Sequence, residues 1–189
     1  MRIPLPSLAL ALLAASPLAA QRPPEPYIDR GICPFECCTY RDWTAVGTIP
    51  VYAEPKIGAR EMFTIAPRAT FRAVTGDVHL RQVGIVVARR AVPLEVAVGE
   101  QPRSLAAGDT AYVLSYVGEG YYRLWIRGEI QSYEAFWDDR HEYPRPTDRP
   151  GVMVRDPDEL WWVKVRTRAG RGGWIRMDRA DVEGADACG

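Results

Sequence analysis

Four cysteines, placed at the two ends of the chain, constrain its fold more than any other feature of the sequence. Cys33, Cys37 and Cys38 crowd into one short segment, and Cys188 is the penultimate residue. If the chain is exported, an even number of cysteines indicates disulfides, and a bridge between the neighbours Cys37 and Cys38 would be strained. We therefore expect Cys33 to pair with Cys37 or Cys38, and the cysteine left over to join Cys188 and connect the two chain ends.

Metal or redox chemistry fits the same cysteines less well. Their spacing, Cys-x3-Cys-Cys, departs from the paired Cys-x2-4-Cys of structural zinc sites. The sequence also has no Cys-x-x-Cys of the redox-active kind. Structural disulfides are therefore the prediction for all four cysteines, with no metal and no cofactor.

The first twenty residues have the parts of a secretory signal peptide. Arg2 precedes an uncharged apolar stretch over 3–15, and small residues follow as far as Ala20. A retained membrane anchor is the alternative, but prolines interrupt the segment and its unbroken apolar core is shorter than the roughly 20 residues that span a bilayer. We expect cleavage after Ala20, no stable membrane span in the mature chain, and a periplasmic or secreted location in a bacterium.

The charges of the chain are balanced. It has 24 basic and 24 acidic side chains. No global field therefore attracts a polyanion, and nucleic acid is not expected as a partner.

Short β-favouring runs, separated by turn residues, dominate the sequence after residue 43. They are rich in Val, Ile, Thr, Tyr and Trp, and no segment keeps an apolar period near 3.6. Single helical turns are predicted at 60–65 and 178–182, and the Pro-rich, charged stretch 138–159 is predicted to be a long loop. The chain should be mostly β with very little helix. The predicted strands are Trp43–Tyr52, Thr70–Thr75, Val83–Ala88, Leu94–Val98, Thr110–Val117, Tyr121–Arg127, Leu160–Arg166 and Gly173–Met177.

Three motifs resemble those of the bacterial SH3 domain family. Residues 107–114, Ala-Gly-Asp-Thr-Ala-Tyr-Val-Leu, are similar to its Gly-Asp/Glu-x-Val-x-Val strand. Trp-Val-Lys-Val-Arg at 162–166, followed by Gly-Gly-Trp-Ile at 172–175, is similar to its Trp-x-x-Val … Gly-x-x-Gly-Trp-Val signature. There Gly173 is expected to let the strand bend. Val-Tyr-Ala-Glu-Pro at 51–55 resembles the family's opening Val-Tyr/Arg-x-x-Pro, without the Gly-Trp ending.

The resemblance implies two small SH3-like β-barrels in tandem, and it covers 92–182 more fully than 44–90. Domains of that family act as binding modules for cell-wall peptides or protein partners and are not catalysts. The implied division of the chain is a signal peptide at 1–20, a Pro/Cys-rich segment at 21–43, a first barrel at 44–90, a second barrel at 91–183 with its loop at 138–159, and a tail at 184–189 tied by Cys188.

Candidate catalytic residues form no recognisable set. His79 and His141 would need a free thiolate for cysteine-hydrolase chemistry, but the cysteines have a structural use. No Gly-x-Ser-x-Gly elbow surrounds a serine. Acidic residues beside His141 could hold a divalent cation, although an acidic loop in solvent is the commoner explanation. We expect no enzymatic activity, and a small hydrolase is the least favoured alternative.

Aromatic side chains carry the functional prediction. Strand alternation over 160–166 places Trp161, Val163 and Val165 on one face and Trp162 with Lys164 on the other. An exposed tryptophan would form an amphipathic groove suited to a peptide or a sugar, whereas a core tryptophan would fill a small barrel. The candidate ligand-binding patch comprises Tyr121, Tyr122, Trp125, Trp137, Trp161 and Trp162.

The sequence thus predicts an exported, non-catalytic binding module for a peptidoglycan peptide or an envelope protein. The alternative is a secreted inhibitor or accessory subunit of an envelope enzyme. In that case the segment 138–159 or Cys33–Trp43 would protrude into the partner's cleft.

Overall fold

A computed structural model describes residues 22–96, 99, 103–138 and 148–188. Strand residues make up 58% of the structure, and the described residues contain no α-helix, so the prediction of a mostly β chain is confirmed. One short turn of 3-10 helix covers Met177–Arg179. No helix in these ranges has the length and apolar character that crossing a membrane requires. The predicted signal peptide lies outside the described residues.

Eight strands form one large antiparallel sheet that curves into a half-barrel. The strands are β1 (Tyr27–Arg30), β2 (Asp42–Ala45), β3 (Ile49–Tyr52), β4 (Glu61–Ile65), β5 (Thr70–Gln82), β13 (Asp158–Thr167), β14 (Gly172–Arg176) and β15 (Val182–Glu183). Their order in the sheet is β15-β2-β5-β13-β14-β3-β4, and β1 pairs with β5 beside this path.

A second sheet has five strands, which are β6 (Gly84–Ala88), β9 (Thr110–Gly118), β10 (Tyr121–Ile126), β11 (Glu129–Glu134) and β12 (Gly151–Arg155). Their order in the sheet is β11-β10-β9-β6-β12. A separate hairpin pairs β7 (Val92–Leu94) with β8 (Arg103–Leu105).

Strand alternation explains how each sheet buries one face. In β10 the residues Tyr122, Leu124 and Ile126 are buried, and the residues between them are partly exposed. In β13 the residues Val163 and Val165 lie in the core of the large sheet, with Trp161 packed against it, as the alternation predicted. A period of two is what a sheet with one covered face requires.

Three groups of buried side chains form the interior. One includes Trp43 and Phe71 and lies on the inner face of the large sheet. A second includes Leu124 and Trp137 and lies on the inner face of the five-stranded sheet. The third lies between the two sheets and consists of Ile32, Val78, Leu80, Val83 and Leu114. This shared group packs the two sheets against each other.

The two sheets do not correspond to the two predicted barrels at 44–90 and 91–183, because the large sheet contains strands from both segments. β13 and β14, which the sequence assigned to the second barrel, lie in the large sheet with β2 to β5. β5 is 13 residues long, and β13 pairs with it from Asp158↔Gln82 to Thr167↔Phe71. Two tandem SH3-like barrels are therefore not confirmed, because strands from both predicted barrels pair with each other in one sheet.

Several local predictions were wrong. The predicted helical turn at 60–65 is the edge strand β4, which pairs with β3. The predicted loop 138–159 contains β12, which pairs with β6, and the start of β13. In both segments, pairing with a distant strand provides hydrogen bonds for the backbone N–H and C=O groups. The residues 139–147 of that predicted loop lie outside the described ranges.

The cysteines pair as Cys33–Cys38 and Cys37–Cys188, with Cα–Cα distances of 5.5 and 5.6 Å. This agrees with the predicted short loop and with the predicted link between the chain ends. The Cys37 carbonyl also accepts a hydrogen bond of 2.9 Å from the Ala187 amide. The C-terminal tail is thus fixed beside the N-terminal segment.

Gly173 allows β14 to approach β3 closely. A Cβ atom there would lie 2.5 Å from Val51 Cγ1 and 2.8 Å from the Tyr52 carbonyl oxygen. Only glycine fits between two strands at such a distance.

Candidate functional site

The six predicted aromatic residues do not form an exposed patch, so this part of the prediction was wrong. Trp137 and Trp162 are each 1% exposed and Tyr122 is 7% exposed. Tyr121, Trp125 and Trp161 are partly exposed. A small β protein needs large apolar side chains to fill its interior, and the buried rings supply much of this apolar volume.

The six residues are also spread over different parts of the fold. Tyr122 and Trp137 pack together inside the five-stranded sheet, with ring centroids 5.0 Å apart. Trp161 contacts Phe35, Tyr40 and Trp43 in the large sheet. Trp125 and Tyr121 lie in two further places: Trp125 packs edge-on against Tyr27, and Tyr121 lines a pocket beside Glu36 and Glu119.

Trp162 lies on the outer face of the large sheet and is covered there by its neighbours. The β1–β5–β13–β14 register places Arg30, Asp77, Trp162 and Arg176 in one row across four strands. Arg30 Nη1 lies 3.2 Å from Asp77 Oδ2, and the Arg176 guanidinium carbon lies 5.8 Å from the Trp162 ring centroid. Tyr52 packs edge-on against the indole at 5.8 Å. Cation–π and edge-to-face contacts therefore hold Trp162 in one orientation.

Arg176 is itself fixed by Asp178. Its Nε–H donates to Asp178 Oδ1 at 3.0 Å. This hydrogen bond lowers the pKa of Asp178 and raises the pKa of Arg176. The guanidinium beside Trp162 is therefore paired with a carboxylate and does not act as an isolated positive charge.

A second row, beside the Trp162 row, has an apolar residue on each side of a histidine. The register pairs Ile28 with His79 and His79 with Leu160. Ile57, from the connection between β3 and β4, lines the same surface and is 61% exposed. Together they form a groove of about 240 Å³, which we call the outer groove. It is lined by Pro26, Tyr27, Ile28, Lys56, Ile57, His79, Leu80, Arg81, Leu160 and Trp162.

The charged residues at the rim of the outer groove are paired with one another. Lys56 Nζ lies 2.7 Å from Glu54 Oε2, and Arg81 Nη2 lies 2.7 Å from Asp158 Oδ1. The rim therefore carries little net charge, and the groove offers mainly apolar contact.

His79 places a polar atom in these apolar surroundings. Its Nε2 atom is buried and has no hydrogen-bond partner. Burial lowers the pKa of His79; Asp77 opposes this effect and Arg30 adds to it. The imidazole ring centroid lies 6.3 Å from that of Trp162. Burial therefore favours the neutral form of the ring.

A second cavity, of about 210 Å³, lies against the five-stranded sheet. Tyr116, Tyr122 and Trp137 line it together with the carboxylates of Asp138, Asp156 and Glu159. Its lining includes two of the six predicted aromatic residues. Tyr116, Tyr122, Asp156 and Glu159 already have interaction partners.

Metal-ligating side chains come together in one place among the described residues. This group is Cys37, Asp186 and Cys188, and both of its cysteines are disulfide-bonded. A disulfide sulfur is not a thiolate and is a poor metal ligand. His141, Asp139 and Glu142, which the sequence offered as a cation site with Asp138, lie outside the described ranges.

No known protein-family model, curated protein or solved structure matches this chain.

Sequence reasoning missed most of the outer groove. It considered His79 only as a catalytic candidate, and it placed Ile28 in the Pro/Cys-rich segment 21–43. The strand alternation that places Trp162 on the face opposite to Trp161 was a signal in the sequence that could have located part of this groove. The contribution of Ile28 and Ile57 could not be seen in the sequence, because β1 reaches this surface by pairing with β5, and β3, which leads into the segment of Ile57, does so by pairing with β14.

Proposed function

We propose that this protein is an exported, non-catalytic binding module that holds an envelope protein partner through the outer groove. The observation that carries the proposal is the exposed apolar surface of Ile28 and Ile57 around a groove floored by His79 and Trp162. Apolar concavities beside fixed aromatic side chains are favourable sites for an anchor residue of a partner.

The cysteine pairs support the exported location. Cys33–Cys38 and Cys37–Cys188 leave no free thiol in the chain. Such bridges persist in oxidising compartments and are rare in the cytosol. Together with the signal-like segment at 1–20, this favours a periplasmic or secreted protein.

The lining of the outer groove favours a protein over a peptidoglycan peptide. A wall peptide carries several carboxylates and amines, and these need unpaired charges on the receptor. Lys56 and Arg81 at the rim are already paired with Glu54 and Asp158. An uncharged apolar side chain enters such a groove without leaving a charge unsatisfied.

Site-specific crosslinking in the native envelope tests this proposal. A photoreactive amino acid is placed at Ile57, and the partner that it captures is then tested against the purified chain carrying Ile28→Asp or Ile57→Asp. We expect each substitution to weaken the binding of that partner at least tenfold. The matched control is Val154→Asp, because Val154 is also exposed but lies on β12 of the other sheet.

Two outcomes would contradict the proposal. Equal losses for Val154→Asp and Ile57→Asp would show that the groove is not the binding surface. Sedimentation with purified peptidoglycan that depends on Ile28 and Ile57 would assign the groove to the wall peptide instead.

The alternative of an inhibitor or accessory subunit has less support from the fold. Phe35 and Tyr40, in the predicted protruding segment Cys33–Trp43, both pack against Trp161. The end of the other predicted protrusion, 138–159, is incorporated into β12 and β13. These segments are structural in the described residues.

A further inference from the structure

A shallow depression lies where β2, the start of β5 and the end of β13 meet in the large sheet. It measures about 100 Å³, and we call it the arginine depression. Three guanidinium groups and one carboxylate line it, which leaves a local net charge of about +2 in a chain whose charges balance as a whole. The lining residues are Asp42, Thr70, Phe71, Arg72, Arg166, Thr167 and Arg168.

Two of these arginines face each other across a strand pair. The register places Arg166 on β13 directly opposite Arg72 on β5, and both side chains are exposed. Like charges at directly opposed positions destabilise a sheet. An anion that binds between the two guanidinium groups removes this repulsion.

The chain itself supplies little compensating negative charge. Asp42 lies 3.7 Å from Arg72, and the two side chains are 68% and 57% exposed. An exposed pair of this kind contributes about 0–1 kcal/mol. Within the described ranges, neither Arg166 nor Arg168 makes an ion pair. Two of the three guanidinium groups are therefore available to a ligand.

The backbone around the arginine depression is already in place. The Thr167 amide donates to the Arg171 carbonyl at 2.8 Å, and the Arg171 amide donates to Thr167 Oγ1 at 3.1 Å. These hydrogen bonds fix the turn that carries Arg168. On the opposite side, the hydroxyl of Thr70 on β5 adds an uncharged donor. A preformed site of this kind loses little conformational entropy when it binds.

The charge and the donors of the depression restrict the chemistry of the ligand. A guanidinium group presents a planar fork of N–H donors that matches the oxygens of a carboxylate or a phosphate. One carboxylate has two oxygens and a single charge, which are too few for three guanidinium groups. A phosphate monoester has three terminal oxygens and a charge of about −1.5 to −2 at pH 7. This charge is close to the opposite of that of the depression.

We infer that the arginine depression binds the phosphate group of a phosphate monoester through Arg72, Arg166 and Arg168. This site is separate from the outer groove, because Leu160 and Arg166 are six residues apart on β13, or about 20 Å along a strand. The inference therefore does not depend on the proposed function. Asp42 keeps Arg72 beside the phosphate.

A set of small anions tests the inference. Methyl phosphate is a monoester, dimethyl phosphate keeps the phosphorus centre with a single charge, and acetate is a carboxylate. Each is titrated at constant ionic strength into the ¹⁵N-labelled mature chain, and the arginine Nε–H signals are followed by NMR. We expect methyl phosphate to bind roughly tenfold more tightly than the other two anions. It should shift the signals of Arg72, Arg166 and Arg168.

Two variants of Arg166 make the result specific. Arg166→Gln removes the charge and the fork, so it should weaken methyl phosphate binding roughly tenfold. Arg166→Lys keeps the charge without the planar fork, so it should retain part of the affinity. The matched control is Arg90→Gln, since Arg90 is exposed and pairs with Asp148 outside the depression, and it should leave the affinity unchanged. The amide spectrum of each variant shows whether its fold is intact.

Two outcomes would overturn the inference. Equal affinities for methyl phosphate, dimethyl phosphate and acetate would show that the depression is an ordinary solvated basic surface. Equal losses for Arg166→Gln and Arg90→Gln would show that methyl phosphate responds only to the net charge of the chain.

A final measurement distinguishes the possible sources of the phosphate. Vesicles of phosphatidylcholine, prepared with and without phosphatidic acid, present a phosphate monoester on a lipid surface or lack one. Sedimentation of the chain with the phosphatidic acid vesicles alone, lost in Arg166→Gln, would assign the depression to a lipid headgroup. Binding of methyl phosphate without sedimentation would assign it to a soluble phosphate monoester. The inferred site stands in both cases.

Discussion

Arg123 on β10 donates its Nε–H to both carboxylate oxygens of Asp29 on β1, at 3.1 and 3.0 Å, and so links the five-stranded sheet to the large sheet. The Asp29 side chain is 2% exposed and that of Arg123 is 30% exposed. The pair thus joins a buried anion to a cation that still reaches solvent.

Removing Arg123 should destabilise the protein, because Asp29 would keep a buried charge without a partner. Breaking a fully buried pair costs about 3–5 kcal/mol. Since Arg123 is partly solvated, we expect Arg123→Ala to lower the free energy of unfolding by about 2–3 kcal/mol. Urea denaturation measures this change. Arg90→Ala is the control, since Arg90 pairs with the exposed Asp148, and it should change stability by less than about 0.5 kcal/mol. Equal effects of the two substitutions would contradict the prediction.

The two disulfides should differ in their contribution to stability. Cys37–Cys188 closes a loop with a sequence separation of 151, and Cys33–Cys38 one of 5. In the chain-entropy model these closures are worth about 5 and about 2 kcal/mol. We therefore expect the double variant Cys37→Ser/Cys188→Ser to lose more thermal stability than Cys33→Ser/Cys38→Ser. Peptide mapping without reduction checks the pairing itself, and a Cys33–Cys37 peptide would contradict it.

His79 should make stability depend on pH. Its pKa is lowered in the folded state, chiefly by burial, so the unfolded chain binds more protons as the pH falls below about 7. The free energy of unfolding should therefore decrease as the pH falls through the ordinary histidine range and then down to the folded pKa. Denaturant melts between pH 8 and pH 5 measure this decrease. His79→Phe should make the free energy of unfolding depend less on pH, whereas His141→Gln should leave the contribution of His79 unchanged. Parallel pH profiles for wild type and His79→Phe would contradict the prediction.

Gly76 should tolerate no side chain. A Cβ atom at this position would collide with the Tyr40 hydroxyl and Trp161 Nε1 and would lie 3.0 Å from the Trp162 carbonyl oxygen. The Tyr40 hydroxyl is fixed there, because it donates to the Ile32 carbonyl and accepts from the Trp161 indole N–H at 3.3 Å. Burial is the main cause that raises the Tyr40 pKa to about 12.

We expect Gly76→Ala to destabilise the fold by about 1–3 kcal/mol through overpacking. Gly47→Ala is the matched control, since a Cβ there meets no atom within 4 Å. Thermal melts compare the two variants. A Gly76→Ala protein as stable as the Gly47→Ala protein would contradict the prediction, because it would show that Tyr40 and Trp161 can move apart without loss of stability.

The sequence by itself determined those features that depend on local pattern or on residue chemistry. Alternation of apolar residues predicted the two faces of β13, because a strand has a period of two whatever it pairs with. The cysteine spacing predicted the short loop and the link between the chain ends, because neighbouring cysteines are poorly placed to bridge. The strand composition predicted a mostly β chain.

Only the tertiary structure decided how the strands combine and which side chains meet. The SH3-like motifs near 107–114 and 162–175 are adjacent in the predicted second barrel, but their strands lie in different sheets, since β5 is long enough to pair with β13 along its length. Burial of Trp162 depends on residues far away in sequence, such as Tyr52 and His79. The outer groove has the same origin: Ile28, Ile57, His79 and Leu160 come from four distant segments, and no local pattern specifies a contact that long-range strand pairing creates.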